Sequence, residues 1–468
     1  MSDSFLNELQ SGFDKAAILT GSDIDTRYFT DTSGKASPKP RAVVRPKTTE
    51  EVSRLLKLCN RERIPLTTQG GMTGLTRATM PHEGEIVLSM ERMNAIEEID
   101  TSSNVAIVQA GTVLQKIQER VAEDGLMFPL DLGARGSCSI GGNISTNAGG
   151  NRVIRYGMTR DLVLGLEVVR ADGTVLNGLR KYIKNNTGID LKQMFVGTEG
   201  ILGVVTRAAL RLFPAPAEQQ VALCALDSFP KVMALLKLAR ARLGGELTAF
   251  EVMWNEYYRF VIERVKGVNA PLPTSHPFYV LFEASGSDAD RLREDHEKLL
   301  EEAMNEGLLI DATISTSRAS AAAIWRIRDS AVELGRTFNT PARISLDVSL
   351  AIDRMEAYAL DVRARIRQVD PNAFAVIMGH AGDGNLHVSV YHPETPEKLE
   401  EMTKLSYNMI REYDGSVSAE HGIGILKRPY LKLSRTEAEL ETMRMLKRTL
   451  DPNNILNPGR VFVLGDNT

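Results

Sequence analysis

Glycines are concentrated in one short part of this chain, and that concentration restricts its folding more than any other feature of the sequence. Seven of the 27 residues from 131 to 157 are glycine, against 37 in all 468 residues. Glycine adopts backbone conformations that other residues avoid, and it allows a second backbone or a ligand to approach closely. The segment therefore predicts tight turns or close contact with a ligand.

Two further glycine-rich segments occur in the first half of the chain, at residues 65–75 and 197–203. Backbone amides in such turns point into a concavity that suits a diphosphate, and Thr68, Gln69 and Thr73 add side-chain donors. In residues 137–151 small donors alternate with glycines, which suits a flat ring and its phosphate tail. The Rossmann, P-loop and nucleophile-elbow signatures cannot be read in the chain. A dinucleotide bound outside a Rossmann fold is predicted.

Composition and charge exclude several classes of function. The net charge is −4, from 56 basic and 60 acidic residues, so no general attraction to nucleic acid is expected. Three widely spaced cysteines cannot form a zinc ribbon, an iron–sulfur site or a disulfide framework, so a metal would need His, Asp or Glu ligands. We expect no signal peptide and no integral membrane segment, hence a cytoplasmic protein that can be peripheral to the inner membrane.

The pattern of hydrophobic residues predicts several domains. A prior of about 150 residues per domain suggests two to four. We predict an N-terminal arm at 1–40, with Phe5, Leu9 and Phe13 on one helix face, and a mixed α/β domain at 41–216 that ends in a Pro-x-Pro linker. A second domain is predicted at 217–425, and a C-terminal helical segment at 426–468 that returns to the first domain.

Amphipathic helices and strands alternate in the second predicted domain. Helices are predicted at residues 229–243, 288–306, 352–369 and 394–413, strands at 278–282 and 342–350, and a final helix at 436–450. This order predicts helices that cover one face of an antiparallel sheet.

Four of the seven histidines lie between residues 380 and 421. His380 and His387 flank a turn with two glycines, and Glu420 and His421 lie in a second glycine-containing motif. Two neutral imidazoles and a carboxylate suit Zn²⁺, with Mn²⁺ or Fe²⁺ as alternatives, and leave coordination positions open. An open position on such an ion can accept a substrate that chelates it, and His421, next to Glu420, can then act as a base. The alternative is that these histidines cap turns or fill polar core positions.

These motifs together resemble a known family. Residues 70–74, 140–143 with 147–150, 184–188 with 190–191, and 197–200 resemble the FAD domain of the vanillyl-alcohol oxidase type, also called the p-cresol methylhydroxylase (PCMH) type. From about residue 41 to 460 the chain is similar to FAD-dependent D-2-hydroxy acid dehydrogenases, including those of D-lactate and D-2-hydroxyglutarate. The resemblance implies an α+β fold: a PCMH-type FAD-binding domain plus a substrate (cap) domain of antiparallel sheet covered by helices.

The resemblance also implies how FAD is bound. Residues 65–75 contain no histidine for covalent attachment, so we expect non-covalent FAD. The predicted FAD-binding residues are Thr68, Gln69, Gly70, Gly71, Met72, Thr73, Gly74, Leu75, Ser137, Ser139, Ile140, Gly141, Gly142, Asn143, Ser145, Thr146, Asn147, Gly149, Gly150, Glu199, Gly200, Gly203 and Asn457.

Relatives with a metal bind it at the positions that match His380, His387 and Glu420. Arg328 matches an arginine that meets the substrate acid, and Asn385 matches a residue that contacts substrate or flavin. With these expectations, a 2-hydroxy acid can chelate the ion, which lowers the pKa of the substrate hydroxyl, and His421, adjacent to a ligand, can take the proton while hydride goes to flavin N5. The predicted catalytic residues are His421, Arg328, Asn385 and Arg343.

The chain departs from the D-2-hydroxyglutarate enzymes at two positions. They carry a Thr and a Lys where this sequence has Val332 and Ser345. Arg343 is two residues before Ser345, on the same strand face, and can hold a distal carboxylate from a shifted position. If it does not, a monocarboxylate such as D-lactate becomes the better candidate.

The predicted reaction is therefore oxidation of a D-2-hydroxy acid of the D-2-hydroxyglutarate, D-lactate or D-malate type to the 2-oxo acid. Electrons are expected to pass to an electron-transfer flavoprotein or a quinone, and a homodimer is a candidate assembly. Two alternatives remain: a non-dehydrogenase flavoenzyme similar to alkyl-dihydroxyacetone-phosphate synthase, and a non-catalytic FAD-binding subunit of a complex.

Overall fold

The chain folds into two compact units. The computed structural model describes residues 3–338, 342–392 and 395–465. Unit 1 comprises Met1–Gly150, Gly157–Ala215 and Glu420–Thr468, and unit 2 comprises Asn151–Tyr156 and Pro216–Ala419.

Strands β1–β11 belong to unit 1 and β12–β18 to unit 2. In chain order they are β1 (Ile18–Leu19), β2 (Val43–Val44), β3 (Leu66–Gln69), β4 (Ile86–Ser89), β5 (Ile96–Asp100), β6 (Val105–Gln109), β7 (Leu126–Met127), β8 (Val163–Val169), β9 (Val175–Gly178), β10 (Val204–Arg211), β11 (Phe213–Pro214), β12 (Glu218–Leu226), β13 (Leu247–Trp254), β14 (Phe278–Gly286), β15 (Asp311–Ile314), β16 (Ala342–Ser349), β17 (Phe374–His380) and β18 (Asn385–His392).

Helices occur in both units. In chain order they are α1 (Asp3–Gly12), α2 (Thr49–Glu62), α3 (Leu114–Ala122), α4 (Ile140–Thr146), α5 (Val153–Tyr156), α6 (Thr159–Leu162), α7 (Phe229–Leu243), α8 (Asn255–Arg264), α9 (Ala289–Asn305), α10 (Arg318–Asp329), α11 (Ala331–Thr337), α12 (Met355–Val369), α13 (Pro396–Glu412) and α14 (Glu437–Leu450). Short 3-10 turns lie at Lys15–Ala17, Gly21–Asp23, Thr26–Tyr28, Leu191–Met194, Gly244–Glu246, Ile352–Arg354 and Arg428–Leu433.

Unit 1 contains three small sheets. One has the strand order β1-β2-β4-β3, with parallel pairing of β4 to both β2 and β3. The second is antiparallel with the order β5-β6-β10-β8-β9, and β11 pairs with β7. In the N-terminal arm, Phe5, Leu9 and Phe13 are buried, as their four-residue spacing predicts.

The C-terminal residues are part of the β3 sheet of unit 1. Leu456 pairs in parallel with Leu66, and the backbone amide of Leu66 donates to the carbonyl of Ile455 over 2.8 Å. Lys447 and Asp451 form a buried ion pair, and the Lys447 ammonium also donates to the carbonyl of Leu456. Breaking such a pair leaves a buried charge without compensation, at a cost of about 3–5 kcal/mol. This pair fixes the turn that leads the chain back to β3.

Unit 2 is built on one antiparallel sheet of seven strands in the order β15-β12-β14-β13-β17-β18-β16. Every residue of β13 and β14 is buried, so both faces of the central strands are covered. Helices α8, α10 and α11 cover one face, in a core with Met253, Tyr279 and Leu281. On the other face Phe229 of α7 contacts Trp254, and α9 contributes His296. The prediction that helices cover only one face is therefore wrong.

The predicted helices of unit 2 lie close to the observed ones. The helix predicted at 352–369 begins at Met355, because a 3-10 turn occupies Ile352–Arg354. The helix predicted at 394–413 runs from Pro396 to Glu412 with Thr395 as its N-cap, and residue 394 lies outside the described residues. The helix predicted at 436–450 begins after Thr436, whose side chain forms a capping box with Glu439.

A short segment within the glycine-rich region, residues 151–156, belongs to unit 2. Arg155 donates to the carbonyl oxygen of Ser285 over 2.7 Å, and Arg152 lies 3.7 Å from the Glu283 carboxylate. These two arginines hold α5 at the end of β14. None of the described helices is both long and apolar enough to span a membrane.

A histidine without hydrogen-bond partners is buried under the sheet of unit 2. Both ring nitrogens of His296 lack a partner, and its ring stacks on Phe282 at a centroid distance of 4.7 Å. Burial disfavours the charged form and lowers the pKa of His296 from 6.5 to about 4. Between pH 4 and 6.5, His296 is therefore protonated in the unfolded chain and neutral in the folded chain.

We predict that unit 2 loses up to about 3 kcal/mol of stability through His296 as the pH falls from 6.5 towards 4. The variant His296→Leu should remove this part of the acid sensitivity. Both tryptophans, Trp254 and Trp325, belong to unit 2, so tryptophan fluorescence during urea unfolding at a series of pH values measures the effect. His276→Leu, at a less buried position, serves as the control and should keep the acid sensitivity.

Candidate active site

Two of the three glycine-rich segments meet at the end of β3. A Cβ atom added to Gly70 would collide with the Ser139 side chain, and one added to Gly71 would collide with the Ser137 carbonyl and lie 2.8 Å from Cα of Cys138. Only glycine fits where two backbones come this close. The structure thus brings together the predicted segments 65–75 and 137–151.

The third segment is joined to the first two by hydrogen bonds. The amide of Glu199 donates to the carbonyl of Ser145 over 2.7 Å. The Asn457 side chain donates to the carbonyl of Glu199 over 2.6 Å and accepts from the amide of Thr68 over 2.8 Å. Asn457 therefore bridges the first and third segments, a role that its position in a C-terminal Asn-Pro-Gly turn did not indicate.

These segments surround a cleft with about 560 Å³ of empty space. Among the predicted FAD-binding residues, the cleft is lined by Thr68, Gly70, Ser139, Gly141, Gly142, Ser145, Thr146, Glu199, Gly200 and Asn457. No motif indicated the other lining residues, which are mostly small or apolar: Ala78, Thr79, Met90, Ala110, Val204 and Val205.

The remaining predicted FAD-binding residues are not among those that line this cleft: Gln69, Met72, Thr73, Gly74, Leu75, Gly71, Ser137, Ile140, Asn143, Asn147, Gly149, Gly150 and Gly203. Several of them have structural contacts. The Gln69 side chain donates to the carbonyls of Tyr28 and Thr79, and Asn147 ends α4 in the left-handed conformation.

Polar groups at and beside the cleft are left unpaired by the protein itself. The hydroxyl of Thr68, which lines the cleft, and the side-chain oxygen of Asn143, in the helix of the lining residues Gly141 and Gly142, are buried without a partner, although buried polar atoms are normally hydrogen-bonded. Within the described residues, the backbone amide of Gly70, which lines the cleft, and the amides of the following residues 71–75 donate no hydrogen bond to protein. A group of amides and hydroxyls in a concave glycine loop suits a diphosphate, so the residues fit FAD.

In unit 2 the strand register places polar side chains in two neighbouring rows on one face of the sheet. Glu251 of β13 lies opposite His380 of β17, and Asn385 of β18 lies opposite His380 on the other side. His387 of β18 lies opposite Asp347 of β16. Residues opposite each other in an antiparallel pair point to the same face, so the four strands contribute to one polar cluster.

His380 is at the centre of this cluster. Its Nδ1 lies 2.7 Å from Oε1 of Glu251, and its Nε2 lies 3.0 Å from Nη2 of Arg328. Since Arg328 can only donate, Nε2 accepts and Nδ1 carries the proton that bonds Glu251. The rings of His380 and His387 are 5.4 Å apart, centroid to centroid. Burial alone would raise the pKa of Glu251, but its interactions with His380 and Arg328 outweigh burial and lower the pKa to about 2.

Arg328 reaches the cluster from the last turn of α10. Its Nε donates to Oε2 of Glu251 over 2.8 Å, and its side chain is only 14% exposed. The hydroxyl of Tyr257 bonds the backbone carbonyl of Arg328. Glu251 thus orients both His380 and Arg328. The sequence reasoning missed Glu251, although a single carboxylate in an otherwise apolar buried strand is an unusual pattern.

Asn385 and Arg343 have different surroundings. Both the oxygen and the nitrogen of the Asn385 side chain are buried without a partner, so this amide is available to a ligand. The guanidinium of Arg343 lies beside Gly335 and the hydroxyl of Tyr391. Arg343 is four residues from Asp347 on β16, about 13 Å along the strand, and is not among the groups that contact Arg328 and His380.

Glu420 and His421 begin the last segment of unit 1. A Cβ added to Gly149 would lie 2.9 Å from the Glu420 carboxylate, so a glycine at 149 leaves room for this side chain. The carbonyl of His421 accepts a long hydrogen bond of 3.4 Å from the hydroxyl of Thr76.

Comparisons with known proteins agree with these features. One family model, FAD binding domain, matches residues 40–178, and another, FAD linked oxidases, C-terminal domain, matches residues 215–461. A D-2-hydroxyglutarate dehydrogenase of Xanthomonas citri pv. viticola is 38% identical over 446 residues, which is 94% of this chain and 93% of the relative. A mitochondrial D-2-hydroxyglutarate dehydrogenase of Rattus norvegicus is 40% identical over 424 residues, 89% of this chain and 77% of the relative. The chain belongs to the FAD-dependent D-2-hydroxy acid dehydrogenase family. Members of this family are FAD-dependent oxidoreductases, and the FAD-binding domain of this chain supports FAD as its cofactor.

Two solved structures share the fold. A structure of p-cresol methylhydroxylase with substrate bound has a TM-score of 0.80 at 17% identity, covering 100% of this chain and 99% of that one. A structure of alkyldihydroxyacetonephosphate synthase has a TM-score of 0.78 at 17% identity, covering 98% and 85%. At such identities the likeness shows the fold alone. The predicted fold class, a PCMH-type FAD-binding domain with a second domain built on an antiparallel sheet, is confirmed.

We predict that Gly71→Ala lowers the affinity for FAD at least about tenfold, because the new methyl group would separate the two backbones that form the cleft. The flavin-to-protein absorbance ratio after desalting measures this loss. Gly74→Ala is the matched control: the same loop receives the same methyl group, but no atom lies within 4 Å of it. Equal FAD content in the two variants would contradict the prediction.

Proposed function

We propose that this protein oxidises a D-2-hydroxy acid to the 2-oxo acid, with non-covalent FAD as hydride acceptor and a divalent metal ion, Zn²⁺ or Mn²⁺, at the substrate hydroxyl. The observation that carries the proposal is the buried cluster in which Glu251 orients His380 beside Arg328. The relatives named D-2-hydroxyglutarate dehydrogenase support the substrate class.

The proposed metal ligands are His380, His387 and Glu420. The carboxylate of Glu251 on Nδ1 of His380 supports this set, because metal-binding histidines usually donate their other ring N–H to a carboxylate. Glu420 follows Ala419, whose amide donates to the backbone carbonyl of Asp347 over 3.3 Å, next to His387 in the sheet. Two imidazoles and a carboxylate suit Zn²⁺ or Mn²⁺, which when bound lowers the pKa of a coordinated hydroxyl.

Arg328 is proposed to bind the carboxylate of the substrate. Its Nε is held by Glu251, which orients the two Nη atoms. Nη2 also contacts His380 and Nη1 contacts Asp329, so each would use its second N–H for the substrate carboxylate. Asn385 is proposed to orient the substrate, because its unpaired side-chain amide can donate one hydrogen bond and accept another.

His421 is proposed as the base that takes the hydroxyl proton as the α-carbon hydride leaves. Bound FAD supplies the hydride acceptor at its N5 atom. The neighbouring Glu420 would then act as a ligand while His421 stays free of the metal.

The preference for the rest of the substrate depends on Arg343. A five-carbon dicarboxylate needs a cation for its distal end, and Arg343 is the proposed one. In the structure its guanidinium lies at Tyr391 and Gly335, so it would have to turn along the strand to meet a substrate at His387. A monocarboxylate such as D-lactate, or the shorter D-malate, remains the alternative substrate. An electron-transfer flavoprotein or a quinone as acceptor, a cytoplasmic location and a homodimer stay predictions.

The decisive experiment is anaerobic reduction of the bound flavin, followed by its absorbance. D-lactate, D-malate and D-2-hydroxyglutarate are tested beside their L-isomers, before and after treatment with a chelator. We expect the D-isomers to bleach the flavin, chelation to abolish bleaching, and Zn²⁺ or Mn²⁺ to restore it. A yellow protein that no acid bleaches would contradict the substrate class and favour a synthase-like enzyme or a non-catalytic subunit.

A second prediction concerns Arg343. If it holds a distal carboxylate, Arg343→Met should raise the KM for D-2-hydroxyglutarate about 10- to 100-fold, the value of one or two charged hydrogen bonds, and leave D-lactate oxidation unchanged. Arg336→Met, which removes an exposed arginine of α11, is the control. Equal effects on both acids would argue against Arg343 as the specificity residue.

A further inference from the structure

We infer that Glu199 is a positioning residue for the reaction proposed above: its carboxylate fixes residues 420–424, the loop that carries Glu420 and His421, to the FAD cleft of unit 1. The inference rests on the proposed function for the roles of those two residues. The resemblance assigned Glu199 only to FAD binding, whereas its carboxylate has contacts of its own.

Both carboxylate oxygens of Glu199 accept hydrogen bonds from consecutive backbone amides of this loop. Oε1 accepts from Ile423 over 2.6 Å and Oε2 from Gly424 over 2.8 Å. The loop is shaped for this contact: Gly422 and Gly424 have φ values of +77° and +53°. A Cβ at Gly422 would lie 2.8 Å from Oε1, so glycine is needed where the loop passes the carboxylate.

The backbone of Glu199 is itself held firmly. Its φ of +52° is rare for a residue with a side chain, and its flanking glycines 197 and 200 also have positive φ. Its amide bonds the end of α4 at Ser145, and its carbonyl bonds the Asn457 side chain. The backbone of this strained residue is therefore held by hydrogen bonds at both its amide and its carbonyl, which restricts the orientation of its side chain.

Glu199 is buried, so water cannot replace the hydrogen bonds between its carboxyl and the loop. Burial raises the pKa of its carboxyl, while the amides of Ile423 and Gly424 and the charge of Lys427 act in the opposite direction. Only 4% of Lys427 is exposed, and its amide closes a turn onto the carbonyl of Ile423 over 3.0 Å. Removing the carboxyl acceptor of two buried amides leaves donors that water does not reach.

A second anchor holds the other side of the loop. The carbonyl of Thr76 accepts from the amides of Ile425 and Leu426, over 2.9 and 3.2 Å, and Thr76 directly follows the cleft loop at 70–75. Residues 420–426 are thus held at two points. Glu199 belongs to the segment 197–203, and Thr76 directly follows the segment 65–75. Through them the cleft sets the position of the proposed ligand and base.

The test uses Glu199→Gln in the holoenzyme, with Glu167→Gln as the matched control. Glu167 is also a buried carboxylate of unit 1, but it accepts from Thr49 and Thr206 rather than from this loop. In Glu199→Gln we expect the amides of residues 423 and 424 to exchange with deuterium at least tenfold faster. We also expect Zn²⁺ alone to bind the chelator-treated holoenzyme at least tenfold more weakly, kcat to fall at least tenfold, and FAD content to stay within twofold. Glu167→Gln should change none of these, and Glu199→Asp, which keeps the charge, should lie between Gln and wild type.

The inference would be overturned if Glu199→Gln kept the deuterium exchange and the kcat of the wild type. It would also be overturned if exchange rose throughout unit 1 and FAD were lost, because that is the result expected of a merely structural role. If Glu199→Gln does not fold, Gly422→Ala disturbs the same contact from the loop side and should give the same local exchange and the same loss of kcat. A wild-type protein that is inactive but whose loop amides are protected from exchange would contradict the proposed function alone. An active enzyme whose loop amides are not protected would contradict this inference alone.

Discussion

The close approach of two backbones at Gly71, next to the contact of Gly70 with the Ser139 side chain, is the constraint on which unit 1 depends. Any side chain at these positions would push residues 137–139 away, and Thr68, Gly70 and Ser139 would no longer line the same cleft. The side chain of Asn457 then links this arrangement to Glu199. Ligand contacts are therefore prepared by contacts between backbone segments, which is why so many glycines are required.

Unit 2 uses a different physical device, strand register. Antiparallel pairing puts Glu251, His380, Asn385, His387 and Asp347 on one face in two neighbouring rows, and a shift of one residue in any strand would send its member to the opposite face. The apolar part of the same face, around Tyr279 and Leu281, holds that register through the core it forms with α8 and α10. Stability and placement of polar groups thus come from the same sheet.

The sequence predicted much of this organisation, and the reasons for what it missed are physical. Amphipathic spacing located α7 to its residue bounds, and glycine-rich segments indicated the cleft, because both signals are local. Glu251 was missed because its significance depends on two partners more than 70 residues away, His380 and Arg328. The coverage of both sheet faces and the place of residues 151–156 in unit 2 are likewise set by long-range contacts that no local pattern encodes.

The C-terminal residues have a consequence for how the protein is made. Thr68 and Asn457 are joined by a hydrogen bond although 389 residues separate them, and Leu66 pairs with Leu456 over a similar distance. Contacts this far apart in the chain form late, since they must wait for the intervening polypeptide. Unit 2 is nearly contiguous, so it can fold during synthesis, whereas the flavin cleft is completed only after residue 457 has left the ribosome. The cleft can therefore hold its cofactor fully only once this segment has been made.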